Sequence, residues 1–164
     1  MKIRMLAFFV ALAVAVMLVA LSLAEEAKKA SAAPAHEIVH STDLKWTPLI
    51  KGSEMAVVSG DPNKEGEPFV IRIREADGAK VPPHWHPADE YLTVLQGTFL
   101  IGMGETYDES KLQTMNVGNF AFIPKEMRHF ANCKGETMVQ VHGIGPFKVN
   151  WVNPAEVIPP DTKK

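Results

Sequence analysis

From Trp46 onward the chain breaks into short apolar runs separated by turn residues. Met55 to Ser59 closes at Gly60-Asp61-Pro62-Asn63. Phe69 to Arg74 alternates apolar and polar positions and stops at Asp77-Gly78. Tyr91 to Gln96 and Thr98 to Met103 flank Gly97 so closely that they read as a hairpin. Phe120 to Ile123 stops at Pro124, His129 to Cys133 at Lys134-Gly135, Thr137 to His142 at Gly143, and Phe147 to Val152 precedes Asn153-Pro154. Short alternating runs punctuated by Gly and Pro are the pattern of half-buried strands. After residue 40 the sequence keeps no long helical period and shows no internal repeat. The pattern predicts an all-β domain, a sandwich or closed barrel, over residues 45–153, with a Pro-rich surface tail at 154–164.

The first segment is different in kind. Lys2 and Arg4 precede an uncharged, almost wholly apolar run from Met5 to Ala24, which Glu25, Glu26, Lys28 and Lys29 end abruptly. This order reads as a secretory signal peptide over residues 1–24, and Ser22-Leu23-Ala24 meets the small-x-small cleavage rule. The alternative is an uncleaved anchor, since the run is long enough to span a bilayer. The expected destination is the periplasm or the exterior, with membrane contact only if the segment is retained. Residues 25–44, rich in Ala, Lys and Glu, read as a tether.

Composition narrows the function classes. Hydrophobic residues make up 46% and charged residues 22%, which excludes a disordered chain. A net charge of −2 without a long basic run gives nucleic-acid binding no electrostatic support. Cys133 is the single cysteine, so an exported domain would be stabilised without an internal disulfide.

Four of the six histidines lie in the β region: His84, His86, His129 and His142. On a strand, side chains two residues apart share a face about 6.6 Å apart, so His84 and His86 can address one ion. Pro82-Pro83 fixes an extended approach to them. Glu90 would stand roughly 13 Å beyond His86 if the chain stayed extended; Pro87-Ala88-Asp89 supplies a reversal that brings it back. His129 can enter from a neighbouring strand. Three imidazoles and a carboxylate suit one divalent transition ion, Fe, Mn, Zn, Ni, Co or Cu, and leave positions open for substrate or dioxygen.

These residues also carry a family resemblance. Gly78, five residues, His84-Trp85-His86, three residues, Glu90, six residues and Gly97 match the first motif of the cupin superfamily at every fixed position. The second motif matches in part: Gly118, Pro124 and His129 are in place, Glu126 replaces a glycine, and Cys133 stands where the family has asparagine. The resemblance implies a conical jelly-roll barrel, metal ligands His84, His86, Glu90 and His129, and a homodimer. The Glu126 change touches a turn that needs positive φ.

Other residues have blander readings. His142 is a candidate acid–base group or a turn cap. Arg72 and Arg74 share a strand face that is either solvated or aimed at a substrate carboxylate. Trp85 and Cys133 read as packing residues.

The fold alone does not name a reaction. An open His/Glu site in an apolar barrel predicts a metal-dependent enzyme on a small organic molecule, oxygenase-like in chemistry. The alternatives are a non-catalytic protein that binds or senses a ligand or metal, and a domain that metal merely stiffens. A sugar-phosphate isomerase ranks low, because no basic cluster accompanies the ligands.

Overall fold

A computed structural model describes Met17 and residues 36–161 of the chain. The elements below all belong to the unit Val39–Lys164. Apart from Met17, the expected signal peptide lies outside the described residues, as does most of the expected tether. Among the described residues, no helix is long and apolar enough to cross a membrane.

Nine antiparallel strands make the domain: β1 (Thr47–Ile50), β2 (Ser53–Gly60), β3 (Pro68–Glu75), β4 (Lys80–Trp85), β5 (Glu90–Met103), β6 (Gln113–Asn116), β7 (Phe120–Ile123), β8 (His129–Ile144) and β9 (Asn150–Trp151). Short 3₁₀ turns occupy Ser41–Asp43, Glu109–Lys111 and Pro154–Glu156.

The two long strands, β5 and β8, shape the molecule. The first half of β5 pairs with the second half of β8, from Tyr91↔His142 to Val94↔Val139; the second half of β5 pairs with the first half of β8, from Thr98↔Lys134 to Met103↔His129. The register shifts between these halves, where Gly97 and Gly135 take positive φ. Each long strand therefore bends and serves two sheets. One sheet continues through β3, β2 and β1, with β7 on its other side; the second continues through β4 and β9, with β6 on its other side. Both contribute to one core. Ile71, Leu92, Val94, Val139 and Val141 come from the first sheet, and Phe99, Ile101, Met115 and Ala131 from the second. This is the curled antiparallel jelly roll that the resemblance implies.

Two sequence expectations need correction. The runs on either side of Gly97 are one continuous strand, not a hairpin, and the runs on either side of Gly135 likewise join into β8. The run from Phe147 to Val152 forms a strand only at Asn150–Trp151; its first part packs on His86, through the Phe147 ring and the Lys148 carbonyl.

Candidate metal centre

The site is assembled from strand ends. His84 lies near the end of β4, opposite His129 at the start of β8. His86 follows directly after β4, and Glu90 opens β5, opposite Ile123 of β7. The reversal through Pro87-Ala88-Asp89 is held from below, since the Asp89 carboxylate accepts from the Lys125 amide at 2.8 Å. The turn before His129 is tied to the same strand end, because the Glu126 amide donates to the His86 carbonyl at 2.8 Å. All four side chains are buried.

The structure brings these residues together. One nitrogen from each of His84, His86 and His129 lies within 4.8 Å of the others, an arrangement that could hold a metal ion. Glu90 Oε2 lies 3.6 Å from His86 Nε2 and 3.3 Å from His129 Nε2. The His84 and His129 rings are 4.1 Å apart, and the Phe147 ring stacks on His86 at the same separation.

The second ring nitrogens fix the chemistry. His84 Nδ1 lies 2.9 Å from the Pro82 carbonyl, His86 Nδ1 2.9 Å from the Lys148 carbonyl, and His129 Nδ1 3.0 Å from the Met127 carbonyl. A carbonyl oxygen only accepts, so each Nδ1 carries the proton and donates. In a neutral ring Nε2 is then a bare lone pair, the state of a metal ligand whose other nitrogen is held by an outer partner. Glu90 Oε2 is buried and makes no hydrogen bond. A buried carboxylate oxygen without a hydrogen bond, set among three imidazole nitrogens, is what a cation satisfies, so the residues present fit a transition metal.

The electrostatics divide the three histidines. Burial, and then the proximity of His129 and His86, holds the His84 pKa well below its ordinary value. Burial also lowers His86, against the opposing pull of Glu90. Burial alone would raise the Glu90 carboxyl, but His129 and His86 together keep it below the usual range. His129 is raised: burial opposes protonation, and Glu90 outweighs it. An anionic carboxylate beside two imidazoles held toward neutrality suits cation binding, and an ion would displace the proton that Glu90 favours on His129.

These four side chains line one end of a cavity of about 290 Å³. That is near the lower end of small-molecule sites, roughly 300–1,000 Å³. Its walls are apolar, with Ile73, Leu92, Phe99, Ile101 and Val139 among them. Phe147, Trp151 and Val157 also line it, so the segment after β8 contributes to the chamber, although most of the tail is exposed.

The other sequence candidates fall outside. His142 alternates with buried Val139 and Val141 on β8, so it faces outward. It is exposed and stacks on Tyr91 at 5.3 Å, which removes it as an acid–base group of the cavity. Arg72 donates to Gln140 and Arg74 pairs with Glu54; neither lines the cavity. Cys133 is buried, and burial pushes its thiol up to about 12, so it packs rather than reacts.

Two polar cavity residues escaped the sequence reading, Ser53 and Glu75. The signal was present for Glu75. On β3, Phe69, Ile71, Ile73 and Glu75 share one face while Arg72 and Arg74 take the other, so period-two parity already aims Glu75 inward.

Residues 34–148 match the family described as the ChrR cupin-like domain. Germin-like protein 5-1 of Oryza sativa subsp. japonica is 37% identical over 71 residues, 43% of this chain and 32% of that protein. The chain thus spans about a third of that relative's length. Among solved structures, KdgF from Halomonas sp. superposes with a TM-score of 0.55 at 17% identity, over 68% of this chain and 96% of that one. The polyketide cyclase RemF from Streptomyces resistomycificus reaches 0.60 at 20% identity, over 74% and 89%. At such identities these likenesses speak for the fold.

Proposed function

The chain belongs to the cupin superfamily, with a ChrR cupin-like domain over residues 34–148, and from that premise we propose that it is a metal-dependent enzyme acting on a small, largely apolar organic molecule. One observation carries this reading: three imidazole nitrogens and a buried carboxylate oxygen that makes no hydrogen bond converge at one end of an apolar cavity. His84, His86, His129 and Glu90 are the proposed ligands. A divalent transition ion held there would supply Lewis-acid or dioxygen-activating chemistry.

The protein's own part is to prepare that end of the chamber. The three Nδ1 bonds to backbone carbonyls hold each ring in one tautomer and orientation. Glu90 supplies negative charge in a dry site, where it acts more strongly than in water. The aliphatic and aromatic walls exclude water and position an apolar substrate.

The test is elemental analysis of the full chain. One transition-metal ion per chain is expected, and it should be lost in His86→Ala while circular dichroism keeps its β signature. Full metal stoichiometry in His86→Ala would defeat the assignment. Catalysis is then tested by screening organic substrates for turnover and oxygen uptake with and without chelator. Turnover that survives metal removal counts against the enzyme reading.

A second reading is a non-catalytic protein that binds a ligand or metal. It is favoured by the cavity lining, where Glu75 is the one ionisable group beyond the proposed ligands among the described residues. A chelator-sensitive turnover rules it out. Export and a homodimer complete the proposal. Export rests on residues 1–24 and is tested by the intact mass of the secreted protein, the dimer by sedimentation.

A further inference from the structure

We propose that Ser53 and Glu75 form a second ligand subsite, at the end of the cavity opposite the histidines, which takes the hydrogen-bond donor of a hydroxyl or amine carried by an elongated apolar molecule. The proposal deepens the reading of the cavity as a ligand chamber, and it rests on the metal only for the ligand's other end.

The register places the two ends apart. Phe69, at the start of β3, packs on Phe147, and Phe147 stacks on His86. Glu75 ends the same strand, about 20 Å of backbone farther on at 3.3 Å per residue. There it pairs with Ser53 of β2 on one side and Thr137 of β8 on the other, beside the bend at Gly97 and Gly135. Lys80, at the other end of β4 from His84, pairs with Asn132 close to that bend. Both ends open on the same chamber.

The chemistry of the far end is unfinished. Glu75 is only 5% exposed. Its Oε1 accepts from the Ser53 hydroxyl at 2.8 Å, while Oε2 is buried and has no partner. The inward face of β3 is otherwise Phe69, Ile71 and Ile73, and an aliphatic residue at 75 would complete it without an orphaned carboxylate oxygen, at the expense of the Ser53 bond. A carboxyl retained on an apolar wall, with one oxygen unspoken for, is the arrangement that selects a donor-bearing ligand over its apolar analogue. Thr137 next to it does not compete, because its hydroxyl is used on the Thr98 and Gly135 carbonyls. Glu75 and Ser53 also border an outer cleft of about 530 Å³, so a water from that side is the rival partner.

The test uses two isomers of one formula, 1-octanol and 1-methoxyheptane, of which only the alcohol donates. Binding to the full chain is measured by calorimetry at pH 8.5, where Glu75, raised by burial to about 7, is an acceptor only. Each titration is run with Zn²⁺ and with chelator. The alcohol should bind at least about tenfold more tightly, a factor typical of one well-made hydrogen bond, under both conditions. Glu75→Leu should reduce the preference to about twofold or less. Ser53→Ala, which leaves both carboxylate oxygens free, should keep or enlarge it; this variant decides the matter if Glu75→Leu does not fold. Equal affinities, absence of alcohol binding, a preference that survives Glu75→Leu, or one that vanishes in Ser53→Ala overturns the subsite. Failure to take up Zn²⁺ counts against the metal centre alone.

Discussion

Glu126 sits in the left-handed backbone region at φ 64, the one non-glycine with positive φ among the described residues. The cupin motif has glycine there, and the chain has kept the turn rather than changed it. A side chain in this region costs about 1–2 kcal/mol relative to right-handed backbone. The turn persists because its neighbours over-determine it: the Glu126 amide donates to His86, and its carbonyl accepts from Arg128 at 2.6 Å. We expect Glu126→Gly to raise stability by roughly 0.5–1 kcal/mol, the strain relieved less the extra freedom of glycine in the unfolded chain. Urea denaturation measures it, and an unchanged or lower midpoint would refute the strain.

Glu75 gives the second residue-scale expectation. Burial raises its carboxyl to about 7, against a smaller lowering by Ser53. The folded state therefore binds a proton that the unfolded chain, titrating near 4.5, has already lost. The associated stability is fully present below about pH 4.5 and is lost as pH rises through 7, roughly 3 kcal/mol in all. Glu75→Gln removes that slope. The difference between the wild-type and variant stability curves should therefore open between pH 5 and 8 in favour of the variant. Parallel curves would mean that Glu75 ionises as freely in the fold as out of it.

Among the elements, the bend in β5 decides whether two sheets can face each other. Gly97 has φ 72, and a Cβ there would lie 2.4 Å from the Glu136 carbonyl oxygen and 2.9 Å from the Thr137 Cα. Both obstacles are backbone, so neither can swing aside. Gly97→Ala should cost about 2–4 kcal/mol, combining positive-φ strain with the clash, and a thermal melt reads it directly. The same glycine explains what the sequence left ambiguous. A glycine between two apolar runs signals positive φ, but a hairpin and a bent strand both use it. The choice is made by tertiary pairing, because each half of β5 finds a different half of β8, and no local pattern records that. β1, β6 and β7, four residues each, are too short to show a period, and of these only β7 is legible, because it is apolar throughout and closed by Pro124. The strand ends that carry the site were far more legible. Ligand spacing is set by chemistry local to the chain, two histidines on one strand face and a glutamate one reversal later. Glu75 was equally legible by parity and was passed over because a buried acid on an apolar face has no motif to announce it.

At the scale of the whole molecule, the candidate ligands are where distant parts of the chain are pinned to one another. His84 and His86 follow from β4, Glu90 opens β5, and His129 opens β8. Without a cation, the fold must hold a buried carboxylate oxygen that makes no hydrogen bond beside imidazole nitrogens, which opposes closure of that end. A cation that binds only the closed arrangement adds stability by mass action, about 2.7 kcal/mol at a free concentration one hundred times Kd. For a domain of this size that is a melting shift of roughly 5–10 °C. Zn²⁺ should therefore raise the melting temperature of the full chain, and chelator should return it to the starting value. His86→Ala should abolish the response. Glu75→Leu should keep it, since Glu75 lies at the other end of the chamber from the histidines. A shift lost in both variants would mean that the two ends act as one cooperative unit, and a shift kept in both would place the ion somewhere other than among these histidines.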